Sequence, residues 1–342
     1  MKPIPLVRKA ALAPAVSYLA GEGVSVSRYL RQAGLSAPSR DSLETLMPLH
    51  QLCGFLSSVA RAEGIKDLGF RIGGHMGTES LGTYGRLIAQ SLTIHESILL
   101  SRKFIASYNS GLQIWLERHG DQVRYCQKYV EDLPRDQITE VVHLGLVNAM
   151  ANSGYGGEAV WQLNRIELAS DPIDLSAYFP ALADVPISFR QPFTSLWVDM
   201  SVMSAPIRRP DITNCSPADA PALDSFLETG PASDLIGQLN QAIESVLNQS
   251  GLTLQQTAAA IGMSARTLQR RLAEHDTSFS HLLQAVRFRN AQRLLADPEM
   301  PLKEIAKRLG YTDLANCMRA FKRWTGVGPS EFRRLHYEPE HQ

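Results

Sequence analysis

Residues 254–334 contain one short pattern twice. The first copy has alanine at Ala258 and glycine at Gly262, and the second has them at Ala306 and Gly310, 48 residues later. A small residue lets a second helix cross the first closely, and a glycine can take the left-handed conformation that ends a helix. The repeated spacing therefore predicts two compact helical pairs near the carboxyl end of the chain.

The residues after each glycine predict how the second helix of each pair begins. Ser264 and Thr312 are positioned as N-caps, whose hydroxyls accept hydrogen bonds from free backbone N–H groups. A basic helix follows each cap. In helix-turn-helix proteins, the second helix of such a pair is the one that enters the DNA major groove. The pattern thus predicts two helix-turn-helix motifs and double-stranded DNA, a promoter or operator, as the partner.

These residues and those that follow resemble the DNA-binding domain of the AraC/XylS family of bacterial transcription regulators. The resemblance is carried by Gly262–Leu272, by Pro301–Tyr311 and by the closing run Arg319–Arg333. Cys317 departs from the family pattern, because members usually carry a large apolar residue there. The resemblance implies a regulator of transcription, and we expect an activator that works with RNA polymerase.

The distribution of charge supports a nucleic-acid partner, although the formal net charge of the 342 residues is zero. Residues 262–334 hold 14 Lys/Arg and 7 Asp/Glu, a balance of +7. The rest of the chain holds the remaining 20 Lys/Arg and 27 Asp/Glu, a balance of −7. A basic block attached to an acidic body is typical of a phosphate-binding module joined to a domain with another task.

The amino-terminal part has mixed periodicity, which predicts an α+β domain. Apolar residues recur at helical spacing in some segments and alternate in others. The helical segments are Met47–Glu63, Leu92–Tyr108 and Pro134–Asn152. The alternating segments are Leu112–Gln127, with a Gly-Asp turn at its centre, and the late strands Val185–Phe189 and Leu196–Met200. The glycine-rich stretch Asp67–Gly85 lacks nucleotide-cradle spacing, and we expect a turn linking helices there.

Residues 1–210 resemble the arabinose-binding-type amino-terminal domain found in one branch of the same family. The resemblance rests on Gly82–Gly85, on the helix Thr93–Ser107 and on a late strand-turn-strand that ends at Ala205–Pro206. It implies a domain that binds a small effector, dimerises, or does both, without identifying arabinose as the ligand. The proline-rich residues 211–233 read as a linker. Residues 234–336 then form the all-α DNA-binding domain, whose two helix-turn-helix motifs are joined by a long helix over Ser278–Ala296.

Residues on the second helix of each pair are the candidates for contact with bases. Leu268 and Leu272 mark the buried stripe of the first such helix, and Cys317 and Phe321 mark that of the second. Arginine can bridge guanine O6 and N7, and glutamine can pair with adenine. The outward candidates are Arg266, Gln269, Arg270, Ala315, Asn316 and Arg319. The candidates for phosphate contact, which strengthens binding without choosing a sequence, are Lys322, Arg323, Arg333 and Arg334.

The sequence gives less guidance on the effector pocket. Four aromatic residues are our candidates for its lining: Tyr84, Tyr108, Trp115 and Trp161. No nucleophile elbow, zinc-protease motif or phosphate-binding loop appears, so we expect no enzyme, no metal and no cofactor. Two alternatives remain open: an architectural DNA-binding protein that senses nothing, and a catalytic amino-terminal domain fused to a DNA-binding module.

The expected setting is the bacterial cytoplasm. The four cysteines are scattered, which suits reduced thiols in a cytosolic protein. No apolar run approaches the roughly 20 residues that a membrane span needs. The apolar segment Ala10–Ala20 is broken by Pro14 and continues into charged sequence, so we expect no signal peptide. A homodimer is the expected assembly.

Overall fold

The computed structural model describes residues 3–75, 77–130, 133, 135–152, 162–176, 178–207, 220–247, 249 and 251–337. The chain divides into two compact units, Met1–Pro231 and Ala232–Gln342. The first mixes helices with strands and the second is helical, as the periodicity predicts. No helix in the described ranges is both long and apolar enough to span a membrane.

The first unit is built on a five-stranded sheet with the order β3-β4-β7-β5-β6. The strands are β3 (Leu112–His119), β4 (Gln122–Tyr129), β5 (Arg165–Glu167), β6 (Ile187–Ser188) and β7 (Thr194–Asp199). Gly120 has φ 62° in the turn between β3 and β4, which confirms the predicted hairpin. The two late strands that we predicted are present as β6 and β7, and β5 lies between them in the sheet.

A small antiparallel pair, β1 (Leu6–Arg8) and β2 (Leu46–Pro48), brings Val7 opposite Met47. The helices of the unit surround both sheets. They are α1 (Ala13–Gly21), α2 (Val26–Gln32), α3 (Leu49–Ala62), α4 (Leu68–Gly74), α5 (Gly82–Ala89), α6 (Ile94–Tyr108), α7 (Arg135–Asn152) and α8 (Ala220–Glu228). The three helices predicted from apolar spacing correspond to α3, α6 and α7.

The glycine-rich stretch is mostly helical, not the turn that we expected. It contains α4 and α5 with a short 3-10 helix between them. Gly69 and Gly73 lie one turn apart on α4 and face α7. A Cβ added to Gly69 would lie 2.1 Å from the carbonyl oxygen of Glu140, and one added to Gly73 would lie 2.5 Å from Cβ of Val147. These glycines therefore serve close helix packing.

Helix α8 lies inside the stretch that we predicted to be a linker, and it packs on the first unit. Phe226 is 2% exposed and belongs to that unit's core. Arg8, which is fully buried, donates from Nη2 to the carbonyl oxygen of Phe226 and from Nη1 to Oγ1 of Thr229 at 3.1 Å. Its Nε donates to the carbonyl oxygen of Ser107, in the last turn of α6, at 2.9 Å. The chain stays bound to the first unit as far as residue 229.

The second unit consists of two helical pairs joined by a long helix. A bracing helix, α9 (Leu235–Ser245), precedes the first pair, α10 (Leu254–Ala260) and α11 (Ala265–Ala273). The connecting helix is α12 (Phe279–Leu295). The second pair, α13 (Leu302–Arg308) and α14 (Leu314–Thr325), is followed by α15 (Pro329–His336).

An aromatic cluster fixes the carboxyl end of this unit. The rings of Phe321 and Phe332 meet edge to face at 5.2 Å, and those of Phe288 and Trp324 meet at 5.7 Å. Such offset arrangements are favourable for aromatic pairs. Trp324 and Phe332 therefore belong to the core.

Candidate nucleic-acid interface and ligand pocket

The two turns have the same backbone geometry. Gly262 and Gly310 each have φ 71°, a left-handed conformation that L residues with a side chain rarely adopt. Ala258 and Ala306 are 1% and 3% exposed on the first helix of each pair, where a larger side chain would separate the helices. A Cβ on Gly310 would lie 2.2 Å from the carbonyl oxygen of Leu247. The second turn thus also needs glycine for space.

The two second helices begin with different caps. Ser264 Oγ accepts a hydrogen bond from the backbone N–H of Thr267 at 3.1 Å. In the second pair the N-cap is Asp313, not Thr312, and its Oδ1 accepts from the N–H of Asn316 at 2.7 Å. An aspartate caps as well as a threonine and adds a negative charge at the positive end of the helix dipole. The prediction of Thr312 as the N-cap is therefore wrong by one residue.

Helix α11 buries one stripe and exposes a basic one. Leu268 and Leu272 are buried, whereas Arg266, Gln269 and Arg270 are exposed along one face. Arg270 Nη1 lies 3.1 Å from Oε1 of Glu274, one turn further on. An exposed pair of this kind contributes only about 0.3–0.5 kcal/mol, so it opposes rearrangement toward another partner only weakly.

Helix α14 has a matching arrangement. Cys317, Ala320 and Phe321 are buried, so the smaller cysteine occupies the apolar stripe. The predicted outward residues are exposed: Ala315, Asn316 and Arg319.

The carboxamide of Asn316 has two partners within its own helix. It donates to Oδ2 of Asp313 and accepts from Nη2 of Arg319, so it positions the guanidinium group. Met318, which is 40% exposed, was missed because a methionine in an amphipathic helix usually indicates core. Its i+3 relation to Ala315 was the available signal.

Arg333 is not free to contact a phosphate. Its guanidinium group donates to the carbonyl oxygens of Leu295, Pro298 and Met300 at 3.2, 3.2 and 2.8 Å. These carbonyls lie at the end of α12 and just after it, where a cation also suits the helix dipole. The prediction for Arg333 is therefore wrong. Lys322, Arg323 and Arg334 are exposed, as phosphate contact requires.

Arg333 and Arg334 form a matched pair for testing this difference. Arg333→Ala is expected to lower the free energy of unfolding of the second unit by about 1–3 kcal/mol, because three carbonyls lose their donor. Arg334→Ala should change stability by less than about 0.5 kcal/mol. It should instead reduce the salt dependence of DNA binding by about one counterion. Urea unfolding and salt titration of DNA affinity measure the two effects. Equal destabilisation by the two variants would contradict the capping role.

Arg287 of α12 also donates to backbone carbonyls, in the turn of the second helical pair, and sequence reasoning missed it. It donates to the carbonyl oxygens of Leu309 and Gly310 at 3.0 and 3.3 Å. Its guanidinium carbon also lies 4.4 Å from the ring centroid of Tyr311. The long helix α12 is thus fastened to the turn that precedes α14.

The first unit contains a cavity of about 90 Å³ between α6, α7 and one face of the sheet. Successive side chains of a strand point to opposite faces of the sheet, so only alternate strand residues line the cavity. They are Leu112 and Ile114 from β3, Tyr125, Gln127 and Tyr129 from β4, and Leu196 and Val198 from β7. No lysine, arginine, histidine, aspartate or glutamate is among the described residues that line it.

Two of the predicted aromatic residues line this cavity. The rings of Tyr84 and Tyr108 stack with centroids 4.5 Å apart. Burial raises the pKa of both phenols, because the phenolate form would be poorly solvated. The same effect raises the pKa of Tyr125 and Tyr129, so all four remain uncharged near neutral pH.

Trp115 does not line the cavity, so this prediction is wrong. It has the opposite strand parity to Ile114, and its Nε1 donates to Glu117 at 2.8 Å. Arg124 completes the group on that face, with Nη1 at 3.1 Å from Glu117 and Nη2 at 2.5 Å from Glu167. Trp161 lies outside the described residues.

Among the described residues, three buried cysteines are free: Cys53, Cys126 and Cys317. Burial raises the pKa of the Cys53 and Cys126 thiols to about 12 and that of Cys317 to about 11. They therefore carry very little reactive thiolate at neutral pH. No three His, Cys, Asp or Glu side chains in the described part of the chain are grouped as a metal site.

Comparison with known proteins assigns the chain to a family. The model for the arabinose-binding domain of AraC transcription regulators, N-terminal part, matches residues 23–207, more than half of the chain. A helix-turn-helix domain model matches residues 239–335. The chain belongs to the AraC family of transcription regulators. As a member of this family it binds DNA and regulates transcription, and it is not an enzyme.

Individual AraC-family relatives cover different shares of the chain. The ornithine utilization regulator of Pseudomonas aeruginosa is 27% identical over 272 residues, 78% of each chain. The regulator VqsM of the same organism is 35% identical over 101 residues, 29% of this chain and 31% of its own. The crystal structure of CdpR, also from P. aeruginosa, covers 94% of this chain and 96% of its own at 21% identity and a TM-score of 0.39.

Proposed function

We propose that this AraC-family chain is a sequence-specific activator whose binding to an operator is controlled by a small molecule in the cavity of the first unit. Binding to an operator is supported by the pair of similar turns, each followed by a helix with exposed arginines. Control by a small molecule is supported by the cavity in the first unit. A chromosomal target places the protein in the bacterial cytoplasm, and an activator has RNA polymerase as a further partner.

Both helical pairs are proposed to act as helix-turn-helix motifs of one DNA-binding domain, residues 234–336. Helix α12 has 17 residues and is therefore about 25 Å long. A rigid connector of this length suits two entries into the major groove on one DNA face, about 34 Å apart. Arg266, Gln269, Arg270 and Arg319 would read base edges, and Ala315 and Met318 would contact thymine methyl groups.

Arginine variants on the two helices test this assignment. Arg270→Ala and Arg319→Ala are each expected to weaken operator binding by about 1–3 kcal/mol and to relax the choice of base at one position. Arg271→Ala is the matched control, because Arg271 lies half-buried beside the apolar stripe of α11. Affinities for the operator and for scrambled DNA at one salt concentration measure the effect. An Arg270 or Arg319 variant that still discriminates like wild type would contradict the proposed orientation of its helix.

Helix α8 offers a route by which the cavity controls the chain beyond the first unit. Val7 and Tyr108 line the cavity, and they are the chain neighbours of Arg8 and Ser107. Arg8 joins Ser107 to α8 through its hydrogen bonds. A ligand that displaces Val7 or Tyr108 would change how firmly Arg8 holds α8. It would thereby change the population of arrangements in which a homodimer fits adjacent half-sites.

A genome-wide footprint of the purified protein, with and without the host's metabolite extract, tests the whole proposal. Discrete sites that the extract sharpens or moves are expected. Discrete sites that ignore the extract would leave a DNA-binding protein without a sensor, as an architectural role would require. The absence of discrete sites in both conditions would overturn the assignment of the operator-reading helices.

A further inference from the structure

The cavity is shaped for a particular class of ligand. Resting on the proposed sensing role, we infer that the effector is a small uncharged molecule with an apolar body and a hydrogen-bond acceptor, such as an amide, ketone or ester. The acceptor is bound by Gln127.

The absence of charge from the described lining residues is the first observation. An ion buried there would lose its hydration without gaining a counter-ion, which costs several kcal/mol even after relaxation. The phenols of Tyr108 and Tyr129, which line the cavity, supply no charge to pair with such an ion, because burial raises their pKa and keeps them neutral. A carboxylate, an ammonium group or a zwitterionic amino acid is therefore disfavoured.

Gln127 supplies the second observation. It is 2% exposed, and its Nε2 has no hydrogen-bond partner among the described residues. A buried donor without a partner costs about 1–3 kcal/mol, and a ligand acceptor would remove that cost. Gly145 of α7 leaves the space: a Cβ there would lie 2.8 Å from the hydroxyl oxygen of Tyr129 and 3.6 Å from Nε2 of Gln127.

The size and polarity of the cavity narrow the class further. An engineered apolar cavity of about 150 Å³ holds benzene, so about 90 Å³ suits a body smaller than a benzene ring. Most of the lining is aliphatic, from Leu52, Ile98, Ile105, Leu144 and similar residues. The polar side chains of the lining, among them Ser97, Ser101, Asn109 and Asn148, are the minority. A sugar such as arabinose would bury more hydroxyls than these can pair and is not expected to bind.

A second depression, of about 610 Å³, is the natural place for a charged molecule and must be distinguished. It shares Gln127 and Tyr129 with the cavity but also presents Lys128, Asp171 and Arg190. Asp171 and Arg190 form an exposed ion pair at 2.7 Å. Gly145 lines the cavity and not the second depression, so a larger side chain there fills the cavity and separates the two places.

Matched probes test the class directly on the full chain. One set is butanamide, butanoate and butylammonium, and the other is propanamide, propanoate and propylammonium, with arabinose as a polar control. At tenfold its Kd, an amide is expected to raise Tm by about 3 °C, whereas the charged members and arabinose leave Tm unchanged. Ions that stabilise wild type as much as the amides do, but fail to stabilise Gly145→Leu, would overturn the proposal. The proposal would also be overturned if neither amide raised Tm.

Gln127→Leu tests the proposed donor without creating a void. It removes an unpartnered polar group, so the variant is expected to fold and to be at least as stable as wild type. Its affinity for butanamide should fall about tenfold while its affinity for pentane is unchanged. Equal affinity of wild type and variant for butanamide would overturn the role of Gln127.

The footprint separates this inference from the proposed function. Amide binding that leaves the footprint unchanged would sustain the ligand class and remove effector control. If only a charged metabolite changes the footprint, effector control would be supported and the uncharged ligand class would be contradicted.

Discussion

Arg8→Met is expected to lower the free energy of unfolding of the first unit by about 3–5 kcal/mol. Arg8 is fully buried and donates to the carbonyl oxygens of Ser107, Glu44 and Phe226 and to the hydroxyl of Thr229. Its guanidinium carbon lies 4.2 Å from the ring centroid of Phe226. Breaking one side of a buried charged network costs that much because the acceptors remain buried without donors.

Two measurements separate this effect from ordinary loss of packing. Urea unfolding gives the free energy, and hydrogen exchange over residues 220–228 reports whether α8 opens before the rest of the unit. Arg28→Met is the control, since Arg28 is exposed and should change stability by less than about 0.5 kcal/mol. An Arg8 variant in which α8 keeps its protection would show that Phe226 alone holds the helix.

Gly310→Ala is expected to destabilise the second unit by about 4 kcal/mol and to abolish operator binding. The left-handed conformation costs a residue with a side chain about 1–2 kcal/mol. The new Cβ would also lie 2.2 Å from the carbonyl oxygen of Leu247 and 2.9 Å from that of Gln249, so the backbone must move. The turn between α13 and α14 cannot keep its geometry.

Gly326→Ala is the matched control for this prediction. Gly326 ends α14 with φ 81°, and a Cβ there would meet nothing within 4 Å. It should therefore lose only the conformational cost, about 1–2 kcal/mol. Urea unfolding and DNA affinity of both variants provide the measurements. If the two variants lose the same stability, the close approach to Leu247 does not constrain the second turn.

Local signals predicted the second unit well. Gly262 and Gly310 require φ above zero for reasons that lie within one turn, and Ser264 caps its own helix. Arg333 was misassigned because its partners, around Leu295 and Met300, are more than 30 residues away in the chain. Exposure of a basic side chain depends on such tertiary partners, which composition and periodicity do not reveal.

Prediction of the first unit depended similarly on the range of each interaction. The β3–β4 hairpin followed from alternation and Gly120, whereas β1 pairs with β2 across about 40 residues and left no local signal. Gly69 and Gly73 had helical spacing, but their role appears only once α7 lies against them. We placed Trp115 on the wrong face of β3. The face of a strand that lines the cavity depends on which side of the sheet the helices cover, and the sequence does not show that side.

The attachment of α8 shortens the free connection between the two units. Thr229 is hydrogen-bonded to Arg8 and α9 begins at Leu235, which leaves the five residues 230–234. Five fully extended residues span at most about 18 Å. In the proposed dimer, each DNA-binding domain would therefore be joined to its first unit by a short linker. The number of base pairs between the half-sites would then have an upper limit set by the length of this connection.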